Sequence, residues 1–249
     1  MAGNAASQTS QGLGLITPAM PMDQSLLHIL QLTDSAFPTG AFAHSFGLET
    51  YVARGIVRTA ASLEEFITNT LLHAIAPSDG VACVAVSWAG ADWQDLVRRL
   101  DRRLSAMKVV TESRQASRTL GTRFLRTATA LFSLPRATSY LAAIDATTAY
   151  GHVSLAYGLA CHDLDLPGLP ALAAWFRQYC ASMVSVGVRL IPLGQTAGQE
   201  LLARLGAPIC DAVALALERG IDDMASFAPG QELAGIMHRD ALTTRLYIS

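Results

Sequence analysis

From Leu169 to Val188 the apolar residues recur at helical spacing: Leu169, Leu172, Ala173, Phe176, Cys180, Met183, Val184, Gly187 and Val188. A stripe that long and that wide belongs to a helix buried on most sides, and the spacing predicts it to be the central one. The same period returns in Leu63, Phe66, Ile67, Leu71 and Ile75, and again in Trp93, Leu96, Val97, Leu100, Leu104 and Met107. It returns once more in Ile209, Ala212, Val213, Ala216 and Leu217, between Pro208 and Gly220, the expected start and stop residues. Ser62 with Glu65 three residues on reads as a capping box. Further helices are expected over 24–34, 44–54, 79–89, 111–132, 138–144, 149–163, 195–206 and 230–242. No run alternates with the period of two that a half-buried strand needs. Breakers at Phe37-Pro38-Thr39-Gly40 and Leu166-Pro167-Gly168 make short connections, and no Pro/Ser-rich linker divides the chain. The expectation is an all-α fold: a single-domain bundle of about ten helices over 24–249. A disordered tail over 1–23 is expected to precede it, because its Ala/Gly/Ser/Gln composition offers no core.

Such a bundle must place a large apolar content. Hydrophobic residues are 51% of the chain and charged residues 15%, and 41 Ala and 34 Leu carry most of the apolar share. Mean hydropathy is +0.32, which raises a membrane surface as one destination. The most apolar late run, Leu169–Ile191, is interrupted by Arg177, Gln178 and Arg189. It falls short of the ~18–20 continuous apolar residues of a membrane span. The N-terminus lacks the basic and apolar regions of a secretory signal, so a cytoplasmic location is expected, with no membrane partner. Eighteen basic residues against twenty acidic give a net charge of −2 and no case for nucleic acid. Lys108 is the single lysine. Cys83, Cys161, Cys180 and Cys210 form no CxxC pair and read as buried thiols.

Candidate chemistry is sparse. The segment Asp34–Glu49 breaks helical periodicity with Pro38, Gly40 and Gly47 and sets phenylalanines in what reads as loop. Ser45 with His44 lacks both the GxSxG elbow and an orienting third group, so a nucleophile is not indicated. A tight turn with His44 or Ser45 capping the next helix is the plain reading; a fixed recognition loop or a polar channel lining is the sharper one. His162, Asp163 and Asp165 would serve a small all-α metal-dependent enzyme, or merely end a helix in solvent. Arg98, Arg99, Arg102 and Arg103 read as a solvated face, with Asp95 able to pair with Arg99. Glu112, Arg114 and Arg118 share a helix with small residues, so they form either a buried ion-pair network or a partner contact. Arg189, Gln195 and Gln199 flank a Pro192/Gly194 corner, where Gln195 and Thr196 can cap a helix or Gln195 and Gln199 can face a partner. Leu246, Tyr247 and Ile248 beside Arg245 are unusually apolar for a free end. They dock either on their own domain or on a partner, with Tyr and Arg as anchors.

The run Leu26–Glu49, an LLxLLQ-like helix followed by Pro38-Thr-Gly-Ala-Phe-Ala-His-Ser-Phe-Gly-Leu-Glu49, resembles the opening signature of the UreF family of urease accessory proteins. Glu112-Ser-Arg114 with Ser117 and Gly121, His152–Gly158, Val188–Gln195 and the ending Arg245–Ser249 are similar to that family too. The resemblance runs in order over residues 24–249. It implies an all-helical, dimeric, non-enzymatic cytoplasmic protein that binds UreD (UreH) and the GTPase UreG and regulates the GTPase cycle. The assembly so formed delivers nickel to apo-urease, with nickel as passing cargo and no stably bound cofactor. By the resemblance, Phe42, His44, Ser45, Glu49, Glu112, Arg114, Arg189, Gln195, Gln199, Arg245, Leu246 and Tyr247 are candidate interface residues. His44 and Ser45 then line a nickel passage or support the dimer, and the tail at Arg245 docks on UreD. Ile248 stands where the family often has another arginine, and residues 1–23 have no family counterpart.

Overall fold

A computed structural model describes residues 24–40, 44–236 and 246–247. The tail 1–23 and residues Phe42, Arg245 and Ile248 therefore lie outside the described residues. The described chain is helical throughout, with no strand. The helices are α1 (Gln24–Leu32), α2 (Leu48–Ala53), α3 (Ala60–Thr70), α4 (Val81–Ser87), α5 (Trp93–Met107) and α6 (Thr111–Leu131). Then come α7 (Pro135–Asp145), α8 (Val153–Asp163), α9 (Gly168–Leu190), α10 (Gln195–Arg204), α11 (Gly206–Glu218) and α12 (Pro229–Ile236). One core cluster runs from Ile29 on α1 to Tyr247 near the C-terminus.

The most enclosed helix is α8, not α9. Every residue from Ser154 to Cys161 is buried. The element is short and carries no amphipathic stripe, so periodicity could not single it out. Its small residues let neighbours close in: α8 packs chiefly on α4 and α6. A Cβ on Gly158 would stand 2.6 Å from the Cys83 carbonyl oxygen, so only glycine permits that approach. The longer α9 buries Leu172, Phe176, Cys180 and Met183 but exposes Arg177 and Arg189.

Pro77 lies inside a helical rod rather than at its end. A π-helical segment, Leu71–Gly80, carries it and joins α3 to α4. Proline lacks the N–H that would reach the His73 carbonyl one turn back. Phe227 N donates there instead, at 2.8 Å, and Ala225 N donates to the Pro77 carbonyl at 3.0 Å. The wide turn is thus closed by a distant loop. The joined rod Ala60–Ser87 is the one described helix long and apolar enough to cross a membrane by length and composition. Some 61% of its most apolar window is buried inside the protein, the position of a core helix.

Other details moved. The capping box at α3 is Thr59 with Ser62, not Ser62 with Glu65. The helix expected over 44–54 starts at Leu48, because Phe46 and Gly47 adopt left-handed φ values of 49° and 86°. Neither His44 nor Ser45 caps it, and Gly47 is its N-cap. Phe37 is buried against Phe124 at 5.3 Å between rings. Three of the four thiols are buried, but Cys210 on α11 is exposed.

Candidate functional site

Two features stand out: a buried polar network around the π segment, and the docking of the C-terminal end on α2. The network begins at Asp79, delivered to the interior by the π turn. Lys108, the first residue after α5, donates to Asp79 Oδ2, and Ser154 Oγ donates to Oδ1 at 2.9 Å. Ser78 Oγ lies 3.3 Å from Oδ2 but gives its one proton to the Ala74 carbonyl at 2.5 Å. Burial pushes the Asp79 carboxyl up. The charge and hydrogen bond of Lys108, with His152 and Ser154, outweigh it and hold the pKa below the ordinary carboxylate range.

His152, fully buried before α8, extends the network. Its Nε2 lies 2.8 Å from Ser105 Oγ and its Nδ1 lies 3.0 Å from Ser117 Oγ. Arg118 already donates to Ser105 Oγ at 2.9 Å. In the tautomer with the proton on Nδ1, Ser105 gives its own proton to Nε2 and Nδ1–H donates to Ser117. Burial first, then the charge of Lys108, holds the imidazole down to a pKa of about 3. Asp101 closes the set: it accepts from Tyr140 Oη at 2.7 Å and from the backbone N–H groups of Tyr150 and His152. Sequence reading missed Asp79 and Asp101 as functional residues. The available signal for Asp101 was its place on the Val97–Leu100–Leu104 stripe, amid arginines that mask it.

At the other feature, the Glu49 carboxylate receives two backbone donors from the C-terminal end. Leu246 N reaches Oε1 at 2.7 Å and Tyr247 N reaches Oε2 at 3.2 Å. Tyr247 is 7% exposed and joins the core; Leu246 is 70% exposed. Glu49 is buried in the first turn of α2, where the helix dipole favours a negative charge. Nearby, His44 and Ser45 are buried. Burial, then the Arg123 charge, lowers the His44 pKa, so its imidazole is neutral at pH 7.

The remaining candidates are scattered. Glu112 and Arg114 are half-buried at the start of α6, and Arg114 donates to the Lys108 carbonyl at 2.8 Å, closing the end of α5. Arg118 lies 4.2 Å over the Tyr150 ring. These two arginines are thus held by carbonyl, hydroxyl and ring partners. Arg189, Gln195 and Gln199 are exposed, and Gly194, not Gln195 or Thr196, is the N-cap of α10. Asp95 pairs with Arg98 rather than Arg99. His162 Nδ1 bonds the Ser87 carbonyl at 2.8 Å, and Asp163 accepts from Ala137 N at 3.0 Å, in the uncapped first turn of α7. Both side chains serve helix ends, and no cluster of three metal-ligating residues exists among the described residues.

The sequence profile of the UreF family matches residues 57–206. The chain is 36% identical over 229 residues to the urease accessory protein UreF of Lachnoclostridium phytofermentans, spanning 92% of this chain and 100% of that protein. It is 37% identical to UreF of Arthrobacter sp. over 90% of this chain and 96% of that protein. Identity to UreF of Corynebacterium glutamicum is 33%, over 92% of this chain and 100% of the relative.

Proposed function

The chain belongs to the UreF family of urease accessory proteins, and from that premise we propose that it is a scaffold bridging UreD (UreH) and the GTPase UreG on apo-urease. It is an accessory protein and not an enzyme. In this reading it regulates the UreG GTPase cycle and promotes nickel delivery in the cytoplasm. Nickel is cargo, and a single neutral imidazole such as His44 suits a passing contact rather than a resident site.

The observation that carries the scaffold reading is α1. Ile29 and Leu32 bury one side of it, while Leu26, Leu27 and Leu30 stand 58%, 51% and 56% exposed on the other. Leu131 is also exposed, next to Phe132, whose ring meets His28 at 5.1 Å. A helix with leucines on both sides and no charged residue suits a protein contact. A second copy of the chain or UreD supplies that contact. Obligate interfaces of this kind bury more than about 2,000 Å² in total. The Glu49-bound end presents Leu246 on the surface for UreD.

Co-expression with urease, UreD and UreG tests this. The chain is expected to co-purify with both partners and to be needed for nickel loading. Leu26→Glu with Leu30→Glu is expected to break the assembly while the chain stays folded. If Arg245 pairs with UreD as a buried, hydrogen-bonded charge, Arg245→Ala is expected to weaken UreD binding by about 2–5 kcal/mol. Deletion of residues 1–22 is expected to leave assembly intact. Urease that matures equally well without the chain would overturn the proposal.

A further inference from the structure

The scaffold reading leaves one charged face unused. Residues 98–126 hold nine of the chain's eighteen basic residues and only two of its twenty acidic ones. Of those two, Asp101 is buried and spent on Tyr140, Tyr150 and His152. The rest of the chain carries nine basic residues against eighteen acidic ones.

The fold gathers part of this charge at one place. Arg118 on α6 donates to Ser105 Oγ on α5 at 2.9 Å. Arg114, one turn earlier on α6, donates to the Lys108 carbonyl just past α5 at 2.8 Å. Arg102 is exposed and lies three positions before Ser105, on the same side of α5. Tyr150 joins them from the α7–α8 connection: its N–H donates to Asp101, and its ring lies 4.2 Å from the Arg118 guanidinium carbon. Tyr150 is 45% exposed and Val109, next to Lys108, is 55% exposed. Lys108 is neutralised by Asp79, but none of Arg102, Arg114 and Arg118 pairs with a carboxylate among the described residues.

Carbonyl, hydroxyl and ring contacts hold Arg114 and Arg118 in place without neutralising them. Such guanidinium groups lose little further freedom when a carboxylate arrives. Arginine and tyrosine around exposed apolar surface are also the composition of a protein interface. A long polyanion or an anionic membrane would extend past this patch onto the acidic remainder of the chain and be repelled there, whereas a short acidic segment would not.

We propose that Arg102, Arg114 and Arg118, with Tyr150 and Val109 beside them, form a docking surface for a carboxylate-rich segment of a partner protein. The proposal rests on the scaffold reading for the partner being a protein. The surface lies at the opposite end of α6 from Leu131, so it is separate from the leucines of α1.

Fluorescein-labelled octaglutamate is titrated with the full-length chain and followed by anisotropy. Saturation is expected with a dissociation constant of about 1 mM or below in about 50 mM salt. The affinity is expected to fall about tenfold or more in about 300 mM salt, as screening shortens the reach of the charges. Arg114→Gln with Arg118→Gln is expected to weaken binding about tenfold or more. Because those changes also remove bonds to α5, Arg102→Glu decides the matter, since Arg102 is exposed and holds no described residue. It is expected to melt like the wild type and to bind octaglutamate about tenfold more weakly. Arg58→Gln with Arg177→Gln changes the net charge equally, at exposed arginines of other elements, and is expected to bind like the wild type. The proposal is overturned by lack of saturation, by indifference to salt, by unchanged binding in Arg102→Glu, or by equal loss in the Arg58/Arg177 variant. An octauridylate that binds more tightly than octaglutamate overturns it too, in favour of nucleic acid. Binding is read on the chain alone. Co-purification with UreD and UreG without octaglutamate binding strikes this surface only, and the reverse result strikes the bridging only.

Discussion

Acid is expected to destabilise this fold through His152, and the size of the effect follows from its surroundings. Burial, reinforced by Lys108, Arg118 and Arg114 and opposed only by Asp79, brings the folded-state pKa to about 3, against 6.5 for the free side chain. The unfolded chain therefore takes the proton first. The contribution to stability is complete above about pH 6.5 and is lost as pH falls toward the folded pKa. At about 1.4 kcal/mol per unit the whole shift is worth about 4–5 kcal/mol, and about 2 kcal/mol of it disappears between pH 7 and pH 5. That is a large share of a typical folding free energy of about 5–15 kcal/mol. His152→Gln isolates the effect. The variant loses the two serine bonds and is expected to be about 2–3 kcal/mol less stable at pH 7. It also loses the titration, so its deficit is expected to shrink by about 2 kcal/mol on going to pH 5. Urea unfolding followed by circular dichroism reads this directly. With a slope of about 3 kcal/mol per molar urea, the two midpoints converge by about 0.7 M. The lowered His44 titrates alike in both proteins. The depressed Asp79 loses its contribution only below the carboxylate range, outside this window. A gap between midpoints that stays constant from pH 7 to pH 5 refutes the reasoning.

Two further outcomes follow from single contacts. Glu49→Gln keeps the shape of the side chain but removes the charge behind two backbone hydrogen bonds. Amide exchange at Leu246 and Tyr247 is expected to quicken about tenfold or more, and exchange at the wild-type rate would remove Glu49 as the anchor. Gly158→Ala drives a methyl group to within 2.6 Å of the Cys83 carbonyl and 2.5 Å of Val86 Cγ2. A loss of about 1–3 kcal/mol is expected in thermal melts, and a neutral substitution would mean that α4 and α8 can separate freely.

Much of the helical framework is legible in the sequence, because a stripe at period 3.6 is local information. The Trp93–Met107 and Leu169–Val188 stripes lie inside α5 and α9. Pro77 inside a helical rod is the opposite case. Proline reads as a stop, and its tolerance here depends on Phe227, 154 positions away from His73, closing the freed carbonyl. The polar network is illegible for the same cause. Ser154 and Asp79 are 75 positions apart, and Ser105 and His152 are 47 apart. No spacing rule links them. The candidate Glu49 comes from the resemblance and Tyr247 from the apolar residues Leu246–Ile248, and only the fold shows that the two meet, through the Tyr247 backbone.

A protein without a reaction to run has a different use for buried charge. Leucine and alanine helices stick together over many registers, since apolar contacts of roughly the right size are nearly interchangeable. Asp79, Lys108, His152 and Ser154 accept only one arrangement of the π segment, α5, α6 and α8, because each loses its partner if a helix slides. On that view the pair adds uniqueness rather than net stability, as buried ion pairs do in some systems. Asp79→Leu with Lys108→Met separates the two roles. The double variant is expected to unfold at the same urea concentration as the wild type or a higher one, because apolar replacement of a buried pair is neutral or stabilising by about 1–4 kcal/mol. Lys108→Met alone is expected to cost about 3–5 kcal/mol, by leaving Asp79 buried without a counter-ion. The double variant is also expected to show broadened amide resonances and impaired assembly with UreD, the partner proposed above. A double variant with sharp resonances and full assembly would show that the apolar core sets the register unaided, and the polar network would then need another explanation.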